Sequence, residues 1–233
     1  MKALNFVGLA AGLALSFASY AQQSYTTSGT NSARPIPKSD ILFQKTVWRG
    51  IDLREKQNKP MFSTNREISR ILIDAVKSGE LQAYANDSLT RPITREEFIE
   101  NMTPDNAGFE VDTLASDNTD DWGKAGGGQQ DAPIEVSNEY FPNQLYQLEL
   151  KEDVIFDKKR SRMYHDIQAI SLKVPASLPA NEKGFEINVG SFKYSDLVRV
   201  FRNHPEQAVW FNPQNDAQHK NLADAFDLWL FSS

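Results

Sequence analysis

The residues that could do chemistry are few and badly spaced for it. His165, His204 and His219 are far apart in sequence and form no H-E-x-x-H or comparable ligand pair. Asp216 with His219 comes closest to a metal or acid–base pair, but the simpler expectation is an N-capping aspartate followed by a solvated first-turn histidine. Asp117, Asp120 and Asp121 lack the alternating oxygen ligands, central glycine and closing glutamate of an EF-hand loop. Gly190-Ser191 is not framed as G-x-S-x-G, and without cysteine there is no thiol nucleophile. Gly126-Gly127-Gly128 opens no capped helix and sits among acids that would repel phosphate. Paired carboxylates of the glycosidase kind stay open, because acidic residues are plentiful and their separation in space is not readable from the chain. The sequence therefore predicts no catalytic, cofactor-binding or metal-binding residues.

What stands out instead is VWRGIDLREKQNKP, from Val47 to Pro60, in which Trp48, Arg49, Asp52, Arg54 and Glu55 crowd both charge signs around an aromatic. Such a run is ordinarily a solvated face; alternatively it fixes register against a neighbour. Trp122 is the second unusual aromatic. It lies in an acidic stretch with no apolar periodicity, where it either tucks locally against the domain or anchors a partner.

Residues 1–21 place Lys2 ahead of an apolar run and end in small residues at Ser19 and Ala21, the pattern of a secretory signal peptide. A flexible leader is expected over 22–39, a mainly helical N-terminal part over 40–103, an acidic Gly-rich loop or linker over 104–133 and an α+β C-terminal part over 134–233. The absence of cysteine and of a later apolar run of membrane-spanning length points to a soluble mature protein in a periplasm. Losing Lys2 with the signal takes the formal charge from -6 to -7, which argues against nucleic acid as the main partner. The charge is polarised: Arg34–Arg70 holds nine basic and four acidic residues, Asp105–Glu139 nine acidic and one basic.

Ile41, Val47, Trp48 and Ile51 suggest one helical face ending before Pro60. Thr64 and Glu67 read as a capping box for a helix buried through Ile68, Ile71, Leu72, Ala75 and Val76 and stopped by Gly79. Leu81–Ala85 reads as a short strand, and Thr94 with Glu97 as a second capping box, opening a helix to about Met102. Tyr146, Leu148 and Leu150 alternate as a half-buried strand. A polar turn at Asp157–Ser161 returns the chain through Ile170, Leu172 and Val174, with a phase shift at Gln168–Ile170 that demands a β-bulge. Phe185, Ile187 and Val189 give another strand, Ser195 caps a short helix, Gln207–Phe211 is strand-like, and Leu222, Phe226, Trp229 and Leu230 share the face of a last helix. The expected fold is α+β, short helices packed with antiparallel strands and a hairpin in the second half.

Three blocks, DILFQKTVWRGIDLREKQNKPMF from Asp40, VIFDKKRSRMY from Val154 and the closing WFNPQNDAQHKNLADAFDLWLFSS, resemble the GldN (PorN) family of the Bacteroidetes type IX secretion system. The resemblance implies a non-enzymatic periplasmic subunit that assembles into rings with a GldK/PorK-like outer-membrane lipoprotein and contacts the periplasmic region of a GldM/PorM-like motor component. It carries no catalytic residues. On that footing Trp48 and Ile51 are expected to face inward while Arg49, Asp52, Arg54 and Glu55 pair with a neighbouring subunit, intramolecular pairing with the acidic carboxyl half being the alternative. The competing function is a periplasmic hydrolase or cell-wall glycan binder using carboxylates and aromatics.

Overall fold

The computed structural model describes residues 36–104, 139–215 and 217–233. The signal, most of the leader, the acidic stretch with Trp122, and Asp216 lie outside the described residues.

An antiparallel sheet of four strands in the order β1-β4-β5-β6 organises the chain, with β1 at Ile41–Asp52, β4 at Gln147–Asp157, β5 at Arg162–Val174 and β6 at Ile187–Lys193. The expected hairpin is the β4–β5 pair. Its turn is held by the Asp157 carboxylate, which accepts the Lys159 and Arg160 backbone N–H groups, and Ser161 closes it at φ 51. The phase shift at Gln168 is a bulge: Lys151 pairs with Ala169 but Glu152 with Ile167, so Gln168 is skipped. Beyond it the same side of β5 resumes with Ile170 and Leu172, both buried.

The segment expected as a helix from Ile41 is instead the edge strand β1, twelve residues long. Thr46, Val47 and Trp48 suit a pleated surface, and Ile51, Arg49 and Val47 do alternate toward one side. The alternation is hidden in the sequence because an arginine occupies a position on the core side. Trp48, expected inward, lies on the other side and is 53% exposed.

The first helix, α1 (Ile68–Ser78), buries Ile68, Ile71, Leu72, Ala75 and Val76 as expected and ends at Gly79, whose φ of 82 a side chain would strain. Its start differs from the expected capping box. Thr64 sits in the turn of a small ribbon, between β2 (Phe62–Ser63) and β3 (Arg66–Glu67), and the helix begins after Glu67, whose carboxylate accepts from the Asn65 N–H and from Arg70. Thr94 does cap α2 (Arg95–Asn101), accepting the Glu97 N–H at 3.2 Å. Tyr84, in the expected Leu81–Ala85 strand, makes isolated bridges to Pro92 and to Ser191 of β6.

The third helix, α3 (Tyr194–Asn203), follows β6 directly, so Ser195 lies inside it and Lys193 holds the capping position. A two-stranded ribbon of β7 (Val209–Trp210) and β8 (Lys220–Asn221) leads into α4 (Leu222–Asp227), capped by the Asn221 side chain. The helix start expected at Asp216 is thus displaced to Asn221. His219 stacks edge-on to Phe211 at 5.0 Å and accepts the Asn212 N–H at Nδ1.

One apolar cluster joins Ile51, Leu148, Leu150, Ile170, Leu172 and Phe192 of the sheet to α1–α4. The sheet and α2 approach closely at Gly190, where a Cβ would come to 3.0 Å from the Phe98 ring. Phe98 in turn meets Phe192 edge-on at 6.2 Å.

Candidate interface on the open edge of the sheet

Strand β1 separates the predicted interface residues onto different sides. Arg49 points into the molecule. Its Nε donates to Glu152 Oε1 at 2.7 Å, Glu152 Oε2 lies 3.1 Å from His165 Nδ1, and the Glu152 side chain is fully buried. Trp229, in the left-handed region at φ 57, covers this group, 4.7 Å from the His165 ring and 5.6 Å from the Arg49 guanidinium. The adjoining tail is fixed by Asn58, whose amide both donates to the Ser232 carbonyl (2.9 Å) and accepts its N–H (2.8 Å). Arg49 is therefore paired within the subunit through its Nε.

Asp52 and Arg54 also satisfy each other. Two side-chain bonds of 2.8 and 3.2 Å join them, and the Arg54 N–H adds a third at 2.8 Å. The Arg54 guanidinium hydrogen bond holds the Asp52 carboxyl below its ordinary range, against the opposing effect of burial. Arg54 stacks 3.5 Å over the Tyr146 ring. Glu55 is exposed at the rim of a cleft of about 170 Å³, lined also by Gly50, Asp52, Glu149, Lys173 and Glu186. Lys173 reaches both Glu149 (2.7 Å) and Glu186 (3.3 Å), so these carboxylates are bound to a cation and not left convergent on a substrate.

Trp48 keeps one ring edge anchored. Its indole N–H donates to Asp87 at 2.8 Å, and Lys151 lies 3.2 Å from the same carboxylate and 5.6 Å from the ring centroid. The Trp48 donation lowers the Asp87 carboxyl below its ordinary range.

The main chain of β1 completes the picture. Leu53 donates to the Tyr146 carbonyl, and the register then directs the backbone groups of Ile51, Arg49, Val47 and Lys45 toward β4. Those of Gly50, Trp48 and Thr46 face the open side, where no described residue pairs with them. Toward the hairpin turn the sheet loses its helical cover. Phe43, Phe156 and Met163 stand opposite one another across β1, β4 and β5, outside the apolar cluster, with Phe43 stacked on Phe156 at 5.8 Å. Lys45, Lys158, Lys159, Arg160 and Arg162 lie at the same end of the sheet and are exposed, Arg160 being paired with Asp157 at 2.7 Å.

On the reverse side of this end, Asp153 and Asp166 are cross-strand neighbours, 8% and 7% exposed. Thr46 and Gln44 donate to Asp153, and Gln168 to Asp166. Burial, with the nearby Asp153 charge, pushes the Asp166 carboxyl up to about 6, although the Gln168 bond works against it. Sequence spacing offered no signal for Asp87, Glu152, His165, Trp229 or this carboxylate pair, because each partner lies on another strand or loop. Among the described residues no group of three or more His, Asp or Glu is set to hold a metal, and no helix is long and apolar enough to cross a membrane.

Fold and surface together define an α+β protein whose conspicuous feature is a bare, charged sheet end rather than a pocket. The family model described as gliding motility associated protein GldN matches residues 36–233, and the chain belongs to the GldN family, a gliding motility component and not a known enzyme family. No curated protein sequence matches it.

Proposed function

We propose that this gliding motility protein is a non-enzymatic periplasmic structural subunit of the type IX secretion machinery. In this reading it assembles into rings with a GldK/PorK-like outer-membrane lipoprotein, which holds it at that membrane, and contacts the GldM/PorM-like motor component. The observation that supports the reading is the uncovered row Phe43, Phe156 and Met163, with Lys45, Lys158 and Lys159 exposed at the same end of the sheet. An apolar strip beside exposed cations is the composition of a protein-docking surface: the strip supplies desolvation energy and the cations supply steering and register. The hydrolase or glycan-binder alternative would need convergent carboxylates in a cleft, and the acids lining the cleft described above include two tied up by Lys173.

The test is to replace Phe43 and Met163 with glutamate in the full chain, confirm export and native circular dichroism, and cross-link the cell envelope. The native protein is expected in a high-mass complex with the lipoprotein, and the variant as a small species with secretion lost. Assembly and secretion at native levels by the folded variant would sink the docking role, and turnover of glycan or peptide by the purified protein would sink the non-enzymatic reading.

A further inference from the structure

Three local costs converge on one place. Glu152 is fully buried in a column of β4 that is otherwise apolar, with Leu148 and Leu150 on one side of it and Val154 and Phe156 on the other. A buried ion pair is often no more stable than apolar residues of the same volume, so stability alone does not account for a carboxylate there. Trp229 takes the left-handed position that ends α4. Its N–H donates to the Phe226 carbonyl and the Leu230 N–H to the Ala225 carbonyl, the motif in which glycine is usual and a bulky side chain is disfavoured. Asn58, itself fully buried, holds the tail beyond that ring at Ser232. Unfavourable conformations that the surroundings enforce gather at functional sites.

What these costs hold in place is a pair of donors. Glu152 engages Arg49 through Nε and His165 through Nδ1, which directs the other end of each group away from the carboxylate: the Nη groups of the guanidinium and Nε2 of the imidazole. Among the described residues nothing accepts from those Nη groups and nothing bonds to Nε2. The Arg49 and His165 side chains are 31% and 34% exposed against 0% for Glu152, and the Trp229 ring lies beside both.

We infer that Arg49 and His165 form a binding site for a carboxylate, oriented from beneath by Glu152 and walled by Trp229. The Nη pair of an arginine is a planar fork that matches the two oxygens of a carboxylate, and a protonated His165 adds Nε2–H beside it. Charge sets the class of anion. Glu152 offsets one of the two cations, and Lys45 stands across Val154 from His165 on the same side of the sheet. That balance suits a singly charged carboxylate better than a phosphate dianion. The site goes beyond the docking role proposed above: it lies inward of the Phe43–Phe156–Met163 row, and its binding is measured on the purified chain with no secretion partner present.

The probe is benzoate, whose ring can lie against Trp229, with benzamide as its uncharged isostere. Indole and imidazole NMR signals of the full chain, assigned through Trp229→Phe and His165→Asn, follow the titration at about pH 6. Benzoate should give saturable shifts at Trp229 and His165, and benzamide should bind at least ~10-fold more weakly. Arg49→Lys keeps a cation against Glu152 but loses the fork, and His165→Asn keeps a donor in the place of Nδ1 but loses Nε2. Each should weaken benzoate at least ~10-fold while circular dichroism stays native. If Arg49→Lys does not fold, His165→Asn decides. A carboxylate can come from an acidic side chain of another protein or from a small organic acid, and envelope cross-linking of Arg49→Lys separates the two: loss of the high-mass complex assigns the group to a partner protein, an unchanged complex to a free acid. Absence of saturable shifts, equal binding of benzoate and benzamide, or native benzoate affinity in the folded variants would overturn the inference and leave Arg49 and His165 as partners of Glu152 alone.

Discussion

The two ends of one sheet obey different rules. Near Ile51, Leu148, Ile170 and Phe192 the strands are covered by four helices, and nearly every inward side chain is apolar. Toward the hairpin turn the same strands continue without that cover and carry Glu152, Asp153, Asp157 and Asp166 as buried acids, each with hydrogen-bond partners. The first end is held by area removed from water, the second by backbone ladders and charge-assisted bonds. Stability should therefore be concentrated at the covered end, leaving the outer end free to be specified by what it contacts.

The largest effect is expected at the covered end. Phe192 is fully buried against Phe98, so Phe192→Ala should cost about 3–5 kcal/mol in urea unfolding, through lost transfer energy and a cavity beneath α2. A cost under about 1 kcal/mol would mean that the helices contribute little to holding the sheet.

At the boundary between the ends, Arg49→Glu places a carboxylate against the buried Glu152 and removes its guanidinium partner. The expected cost is about 3 kcal/mol, toward the lower part of the range for breaking buried pairs because Arg49 is itself about a third exposed (31%). Arg54→Glu faces Asp52 near the surface and should cost less than about 1 kcal/mol. Equal losses in the two variants would contradict the division into a buried and a solvated arginine.

Asp166→Asn should act in the opposite direction. An aspartate titrates near 3.9 in the unfolded chain and at about 6 here, so its protonated form contributes stability that is fully present below about pH 4 and lost as pH rises through about 6. Asparagine keeps an acceptor for Gln168 without the buried charge. The variant should be more stable than the parent by roughly 1–3 kcal/mol at pH 8 and match it near pH 4. Parallel stability–pH curves for the two proteins would show that the carboxyl is not held protonated by its surroundings.

How much of this was readable in the chain depended on whether the two ends left different marks. At the covered end, Ile68–Val76, the Thr94 cap, the β4–β5 alternation and the Gln168 bulge each follow a period or a local bond, and each appeared in the expectations. The outer end breaks period. Arg49 and Glu152 occupy inward positions, so β1 looked helical and its arginine looked available to a partner. Thr64 and Ser195 misled for another reason: each is a favourable capping residue, but the chain was already committed to a ribbon or a running helix where it stood. The Arg49–Glu152–His165 group joins three strands and could not be found by spacing.

The smallest effect on folding is expected where the proposed partner contact is placed. Phe43 is 45% exposed and Met163 52%, so neither has been fully removed from water, and the polar ladder beneath them does not depend on their side chains. Replacing both with serine removes the Phe43–Phe156 stack, worth about 0.5–1.5 kcal/mol at most, and returns part of that by uncovering less apolar surface in the folded state. The double variant should unfold within about 1 kcal/mol of the parent, while its association with other envelope proteins falls far more. Measured together, urea unfolding and envelope cross-linking separate the two roles. A loss of several kcal/mol in folding would mean that the outer end is a second core, and the apolar row would then owe its presence to the subunit itself and not to a partner.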